Sequence, residues 1–120
     1  MMAWVAFDRG IKSSQEFDLA GPVEDWRRIR DEIHRDVCAN GYDQDLGYFV
    51  QAYGGKELDA SLLLIGSIGF LPPTDRRVSA TVEAIERGLL VDGFVRRYDT
   101  ARGDDGLPPG EGMFLACSFW

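Results

Sequence analysis

The sequence predicts an all-α fold of stacked helical hairpins, with outer and inner helices in alternation. Three observations carry that prediction. Residues 22–40 and 77–89 each present one apolar stripe at helical spacing and charge on the opposite face. Between them, residues 58–68 are apolar nearly all round, the pattern of a helix buried on most sides. Strand signals are confined to two short, weakly alternating segments, residues 48–51 and 94–98, too little to found a sheet. Outer helices with one apolar stripe and an inner helix with little polar face are what a two-layered stack produces.

Taken in order, residues 2–12 place Trp4, Phe7 and Ile11 on one face of a short helix. The chain enters that helix without a capping residue, which predicts a fragment whose upstream part is absent. Residues 13–21 read as a loop. The second helix opens at Pro22, carries Glu24 and Asp25 at its positive end and stops at Asn40-Gly41. Its stripe is Trp26, Ile29, Ile33 and Val37, so it lies on an outer surface. The third helix contains the run Leu62-Leu63-Leu64-Ile65 and ends before Pro72-Pro73. The fourth carries Val78, Val82, Ile85 and Leu89, with Thr74 or Asp75 to cap it. Residues 100–112 form a long Gly/Pro/Asp-rich loop, and residues 113–120 turn apolar and helical again.

With 120 residues, 45% of them hydrophobic and 12% aromatic, the chain suffices for one packed domain. A formal charge of −7 argues against nucleic-acid binding, which needs a basic face. Cys38 and Cys117 form neither a disulfide framework nor a zinc motif, and read as two reduced thiols. Asp8 and Arg9 fall where a signal peptide would be apolar, and no apolar run approaches the roughly 18 residues of a membrane span. The expectation is a cytoplasmic protein that binds no membrane, metal or cofactor.

The sequence lacks a phosphate-binding GxxxxGK[ST] loop, a dinucleotide GxGxxG, a GxSxG elbow and an HExxH pair. His34 is the single histidine and falls on the polar side of the second helix, which leaves a triad or histidine metal site without members. Carboxylates remain, and most of the 20 acidic residues cover outer helix faces. Asp59 stands at the start of the apolar helix. It reads either as a charge near the helix dipole or as a pocket carboxylate able to bind sugar hydroxyls. Glu111 sits in Gly-Glu-Gly, where flanking glycines admit a ligand close to the backbone. It reads either as a helix-start acid in a turn or as a partly enclosed general base. Trp4, Tyr48, Tyr53, Tyr98 and Trp120 could each supply a flat ring for a pyranose or simply fill the core.

Four strings decide more than periodicity does: MAWVAFDR (2–9), FVQAYGGKELDASLLL (49–64), GFLPPTDRRVSATVEAIERGL (69–89) and RYDTARGDDGLPPGEGMFLACSFW (97–120). In this order and spacing they resemble bacterial members of glycoside hydrolase family 15, the glucoamylase-like and trehalase-like enzymes. The resemblance covers essentially the whole chain. It implies part of an (α/α)6 toroid and hydrolysis of a terminal α-glucosidic bond with inversion, on trehalose or an α-glucan. In that chemistry a carboxylic acid protonates the leaving oxygen while a carboxylate base, roughly 6.5–9.5 Å away, activates water.

Carried over by position, the resemblance makes Glu111 the general base. It assigns Arg97, Tyr98, Gln51, Tyr53, Asp59 and Trp4 to the glucose pocket. The family's general acid lies in a Trp-Glu motif upstream of the MAWVAFDR string, and Pro109 interrupts the glycine-rich approach to Glu111. Residues 1–120 are therefore expected to form a partial catalytic domain with the base side of the site, inactive alone. The alternative is a non-catalytic helical module that binds sugar or a protein partner. In either case, inner-helix apolar surface left uncovered predicts a homo-oligomer.

Overall fold

The computed structural model describes residues 1–99 and 114–120, and the chain falls into two compact units, Met1–Asn40 and Gly41–Trp120. The first is a helical hairpin of α1 (Met2–Glu16) and α2 (Val23–Asn40). The buried face of α1 is Trp4, Asp8, Ile11 and Ser14, spaced by three and four residues. The expected stripe is thus present, with a carboxylate inside it and Phe7 half-buried at its side. The N–H groups of Phe17 and Leu19 close the helix end on the carbonyls of Ser13 and Ser14. The chain then turns through Asp18 at φ 51° and reaches Gly21, where a β-carbon would stand 2.7 Å from the Trp26 ring. Any larger residue at that corner would have to push the Trp26 ring aside, so glycine suits it. Helix α2 matches its expected range; Trp26, Ile29, Ile33 and Val37 are half-buried, and Arg28 pairs with Asp25 and Glu32 on the solvent face.

The second unit begins with a hairpin, of which the weak alternation at residues 48–51 marked only the second strand. Strands β1 (Tyr42–Asp43) and β2 (Tyr48–Phe49) pair antiparallel, Tyr42 opposite Phe49. The Asp43 carboxylate accepts the N–H groups of Asp45 and Leu46 at 2.9 Å, and Gly47 turns the chain at φ +76°. This is side-chain-directed turn chemistry, invisible to a search for alternation. A second hairpin, β3 (Leu90–Val91) and β4 (Phe94–Val95), turns on Asp92 and Gly93, both at positive φ. Asp-Gly between apolar residues is the signal for such a turn, and it lies in the sequence.

The expected inner helix at residues 58–68 is instead two short pieces, a 3-10 turn at Ala60–Leu63 and α3 at Leu64–Ser67. Asp59 caps the turn through Ser61 N–H, Gly69 ends the segment at φ +77°, and Leu62, Leu63 and Leu64 are half-buried while Ile65 is enclosed. Residues 113–120 were expected to be helical, and a 3-10 turn at Leu115–Phe119 is what forms among those described. Helix α4 (Arg76–Leu89) is the spine of this unit; Val78, Thr81, Ala84, Ile85 and Leu89 form its buried face against β2 and the 3-10 turn at residue 60.

Asp75 caps α4, its Oδ1 accepting Arg77 N–H at 2.9 Å while the Arg77 guanidinium grips both carboxylate oxygens. That guanidinium first, and the backbone N–H second, hold the Asp75 carboxyl down at about 2, against an ordinary 3.8. Because the folded value lies below the unfolded one, the cap stabilises above about pH 4 and loses its effect as pH falls toward 2. Asp75→Ala is expected to cost about 1 kcal/mol near neutrality, a solvent-screened cap. In urea titrations the gap between variant and parent should close between pH 4 and 2. A gap that persists at pH 2 would assign the cost to packing.

Candidate functional site

In the second unit, a cluster forms where the segment entering the 3-10 turn at residue 60 meets the segment leaving β4. Asp59 has extended backbone, φ −134° and ψ 137°, which aims its carboxylate back over the start of the turn. Oδ1 accepts Ser61 N–H at 2.8 Å, and Oδ2 lies 3.8 Å from Arg97 Nε. The backbone makes a second link, Ala60 N–H to the Arg97 carbonyl at 2.7 Å. Residue 97 is therefore held at both its main chain and its side chain. The carboxylate is 7% exposed and the arginine side chain 62% exposed, so the guanidinium is anchored at Nε while its outer edge faces solvent. Such an edge carries fixed N–H donors suited to hydroxyl or anionic oxygens. Arg97 Cζ also lies 6.0 Å from the centre of the Tyr98 ring, which lends a cation–π contact.

Beneath this cluster sits Cys117, fully buried in the 3-10 turn at Leu115–Phe119. Burial first, then the negative charge of Asp59, push its thiol upward, with Arg97 acting in the opposite direction. The shift favours the protonated thiol. Ser118 Oγ accepts Val95 N–H at 2.9 Å and ties that turn to β4.

The expected site residues are distributed unequally. Asp59, Arg97 and Tyr98 come together as described. Gln51 and Tyr53 lie in the exposed turn that follows β2, closed by hydrogen bonds from Gln51 N–H to the Glu57 carbonyl and from Gly55 N–H to the Ala52 carbonyl. Tyr53 is 53% exposed. Trp4 belongs to the first unit, where it is buried with its ring centre 6.5 Å from that of His34. Glu111 lies outside the described residues.

Two features escaped sequence reading. Asp8 is a buried carboxylate, its Oδ2 bound by Arg9 and by Lys12 at 2.8 Å, with Arg30 of α2 3.8 Å from Oδ1. Its place on the Trp4–Ile11 face, one turn before Lys12, was the available signal. His34 was expected on the polar side of α2 and is instead half-buried, between the Trp4 ring and the Cys38 sulfur at 3.9 Å. Among the described residues, no group of three or more His, Cys, Asp or Glu side chains could hold a metal ion, and no helix is long and apolar enough to cross a membrane.

The family model for glycosyl hydrolases family 15 matches residues 1–120. The trehalase of Thermoplasma volcanium is 42% identical over 121 residues, covering all of this chain and 19% of that protein. The trehalase of Mycobacterium tuberculosis is 48% identical over 120 residues, again all of this chain and 18% of the relative. The chain thus spans about a fifth of the length of these curated relatives. Among solved structures, a glycosidase variant in complex with glucose aligns with a TM-score of 0.66 at 25% identity, over 75% of this chain and 24% of that one. A wild-type glycosidase aligns with a TM-score of 0.61 at 28% identity, over 68% and 22%.

Proposed function

The chain belongs to glycosyl hydrolases family 15, and on that premise we propose that it is the base side of a domain that hydrolyses trehalose or an α-glucan with inversion. The observation that carries this reading is the match of all 120 residues to trehalases at 42–48% identity. The cluster around Asp59 supports it. A glucosidase pocket needs donors and acceptors for neutral hydroxyls close to an aromatic surface, and Arg97, Asp59 and Tyr98 supply these within one small region.

In this reading Glu111 accepts a proton from the water that attacks the anomeric carbon. Arg97 and Tyr98 hold hydroxyls of the glucose ring, and Gln51 and Tyr53 add further contacts. Asp59 fixes the direction of Arg97. The acid that protonates the leaving oxygen comes from outside residues 1–120, so the isolated chain does not turn over. A cytoplasmic setting fits two free thiols, Cys38 and Cys117. Exposed Leu90, Phe94, Phe114, Leu115 and Phe119 fit a homo-oligomer in which copies cover one another's apolar surface. A monodisperse monomer in light scattering would remove that last element.

The test is a graft. Residues 1–120 replace the matching fifth of the Mycobacterium tuberculosis trehalase, and proton NMR follows the anomers released from trehalose. Initial release of one β-glucose with each α-glucose is expected from the graft, and no hydrolysis from the isolated chain. A folded graft without activity, or an isolated chain that turns over, overturns the reading.

A further inference from the structure

A concavity of about 480 Å³ lies in the Gly41–Trp120 unit, lined by Tyr42 and Gly47 of the first hairpin and by Arg76, Ser79, Ala80 and Glu83 of α4. None of these residues belongs to the cluster around Asp59. We propose that this groove is a separate carbohydrate site that takes a neutral disaccharide.

The groove is built on a fixed frame. Thr81, 1% exposed, accepts Phe49 N–H at 3.0 Å and donates to the Arg77 carbonyl at 2.7 Å, which clamps the hairpin to the helix. Tyr42 packs edge-on against buried Phe49, ring centres 5.2 Å apart at 71°, so the aromatic wall is pinned before any ligand arrives. At the rim, Gly47 stands at φ +76° with no atom within 4 Å of where a β-carbon would point, which leaves open space for a ligand. A volume of this size falls in the range of small-molecule sites.

The chemistry of the lining selects the ligand. Arg76 offers a guanidinium with no acidic partner among the described residues. Glu83 offers carboxylate oxygens that are only loosely engaged, 3.7 Å from Arg87. Ser79 Oγ donates to the Arg76 carbonyl at 3.1 Å and keeps its lone pairs for a ligand hydroxyl. Donors from Arg76, acceptors from Glu83 and the aromatic ring of Tyr42 suit a polyhydroxylated ring with apolar faces. An anion would meet Glu83 and a chain of net charge −7. A cation would meet Arg76. A free amino acid carries both charges, but Arg76 and Glu83 are seven residues apart, about 10 Å along the helix axis. Two linked pyranose rings span that distance, whereas an α-ammonium and its own carboxylate do not.

The experiment is a 15N NMR titration of the chain with maltose, and separately with glucose 6-phosphate. Saturable shifts are expected at the amides of Gly47, Ser79 and Ala80. The double variant Arg76→Met/Glu83→Gln should bind maltose at least fivefold more weakly, with its fold verified by circular dichroism. Glu111→Gln should bind in the groove with unchanged affinity, so failure of the catalytic reading and failure of this one are separable. Absence of saturable shifts at those amides, or an unaffected double variant, overturns the proposal. Tighter binding of glucose 6-phosphate than of maltose also overturns it, since the groove would then be an anion site.

Discussion

Glu111→Gln, introduced into the trehalase graft, is expected to slow trehalose hydrolysis by about 10²- to 10⁴-fold, the usual contribution of a positioned general base. Glutamine preserves the shape of the side chain and its capacity to hydrogen-bond, but it accepts no proton from attacking water. If Glu111 is the base, kcat and kcat/KM fall together, because the missing interaction is made only as the water loses its proton. A loss confined to KM would make Glu111 a binding residue. Activity within threefold of the parent graft would return Glu111 to the plainer reading, an acid at the start of a turn in Gly-Glu-Gly.

The largest expected effect on stability comes from Phe49→Ala, about 3–5 kcal/mol. Phe49 is 1% exposed, meets the Tyr42 ring edge-on and lies on β2, against α4. Truncation therefore removes a large apolar surface from water-free contact and leaves a cavity between the hairpin and the helix. Against a typical total stability of about 5–15 kcal/mol, such a loss consumes much of what holds a small unit together. Urea titration followed by circular dichroism measures it. A cost under about 1 kcal/mol would mean that the hairpin rides on the helix without sharing its core, and it would weaken the case for a rigid groove beside Tyr42.

Much of the fold was legible because helices announce themselves locally. Helix α2 begins and ends where Pro22 and Asn40-Gly41 place it, and α4 begins one residue before its expected start, capped by Asp75, one of the two residues expected to cap it. Both depend on stripes and end signals read along a single segment. The apolar run at residues 58–68 failed for the same reason. Hydrophobicity shows that a segment is buried, not that it is a continuous helix, and here Asp59 and Gly69 restrict it to a 3-10 turn and one short α-helical piece. The hairpin turn at Asp92-Gly93 was readable from its dipeptide, while the turn at Asp43 depends on side-chain acceptance of two backbone N–H groups.

The candidate site divides along similar lines. Family motifs singled out Asp59, Arg97 and Tyr98, and the second unit brings these three together. Nothing local to either string links Asp59 with Arg97, 38 positions further on, and the fold joins them through an ion pair and a main-chain bond to the neighbouring Ala60. The buried state of Asp8 and the half-burial of His34 beside Trp4 were equally absent from the periodicity, although Asp8 shares a helix face with Trp4.

By itself, the sequence determined that the chain is predominantly helical, where α2 and α4 run, and which family it belongs to, whereas α1 continues to Glu16 through residues read as loop. All three rest on local pattern or on strings that are read residue by residue. Tertiary structure alone decided which apolar segment is turn rather than helix, that Arg97 is gripped from two sides, and that a groove opens between Tyr42 and α4. Those outcomes depend on contacts between residues tens of positions apart, such as Phe49 N–H on Thr81. Whether such a contact forms depends on the packing of everything around it, and no window along the chain contains that information.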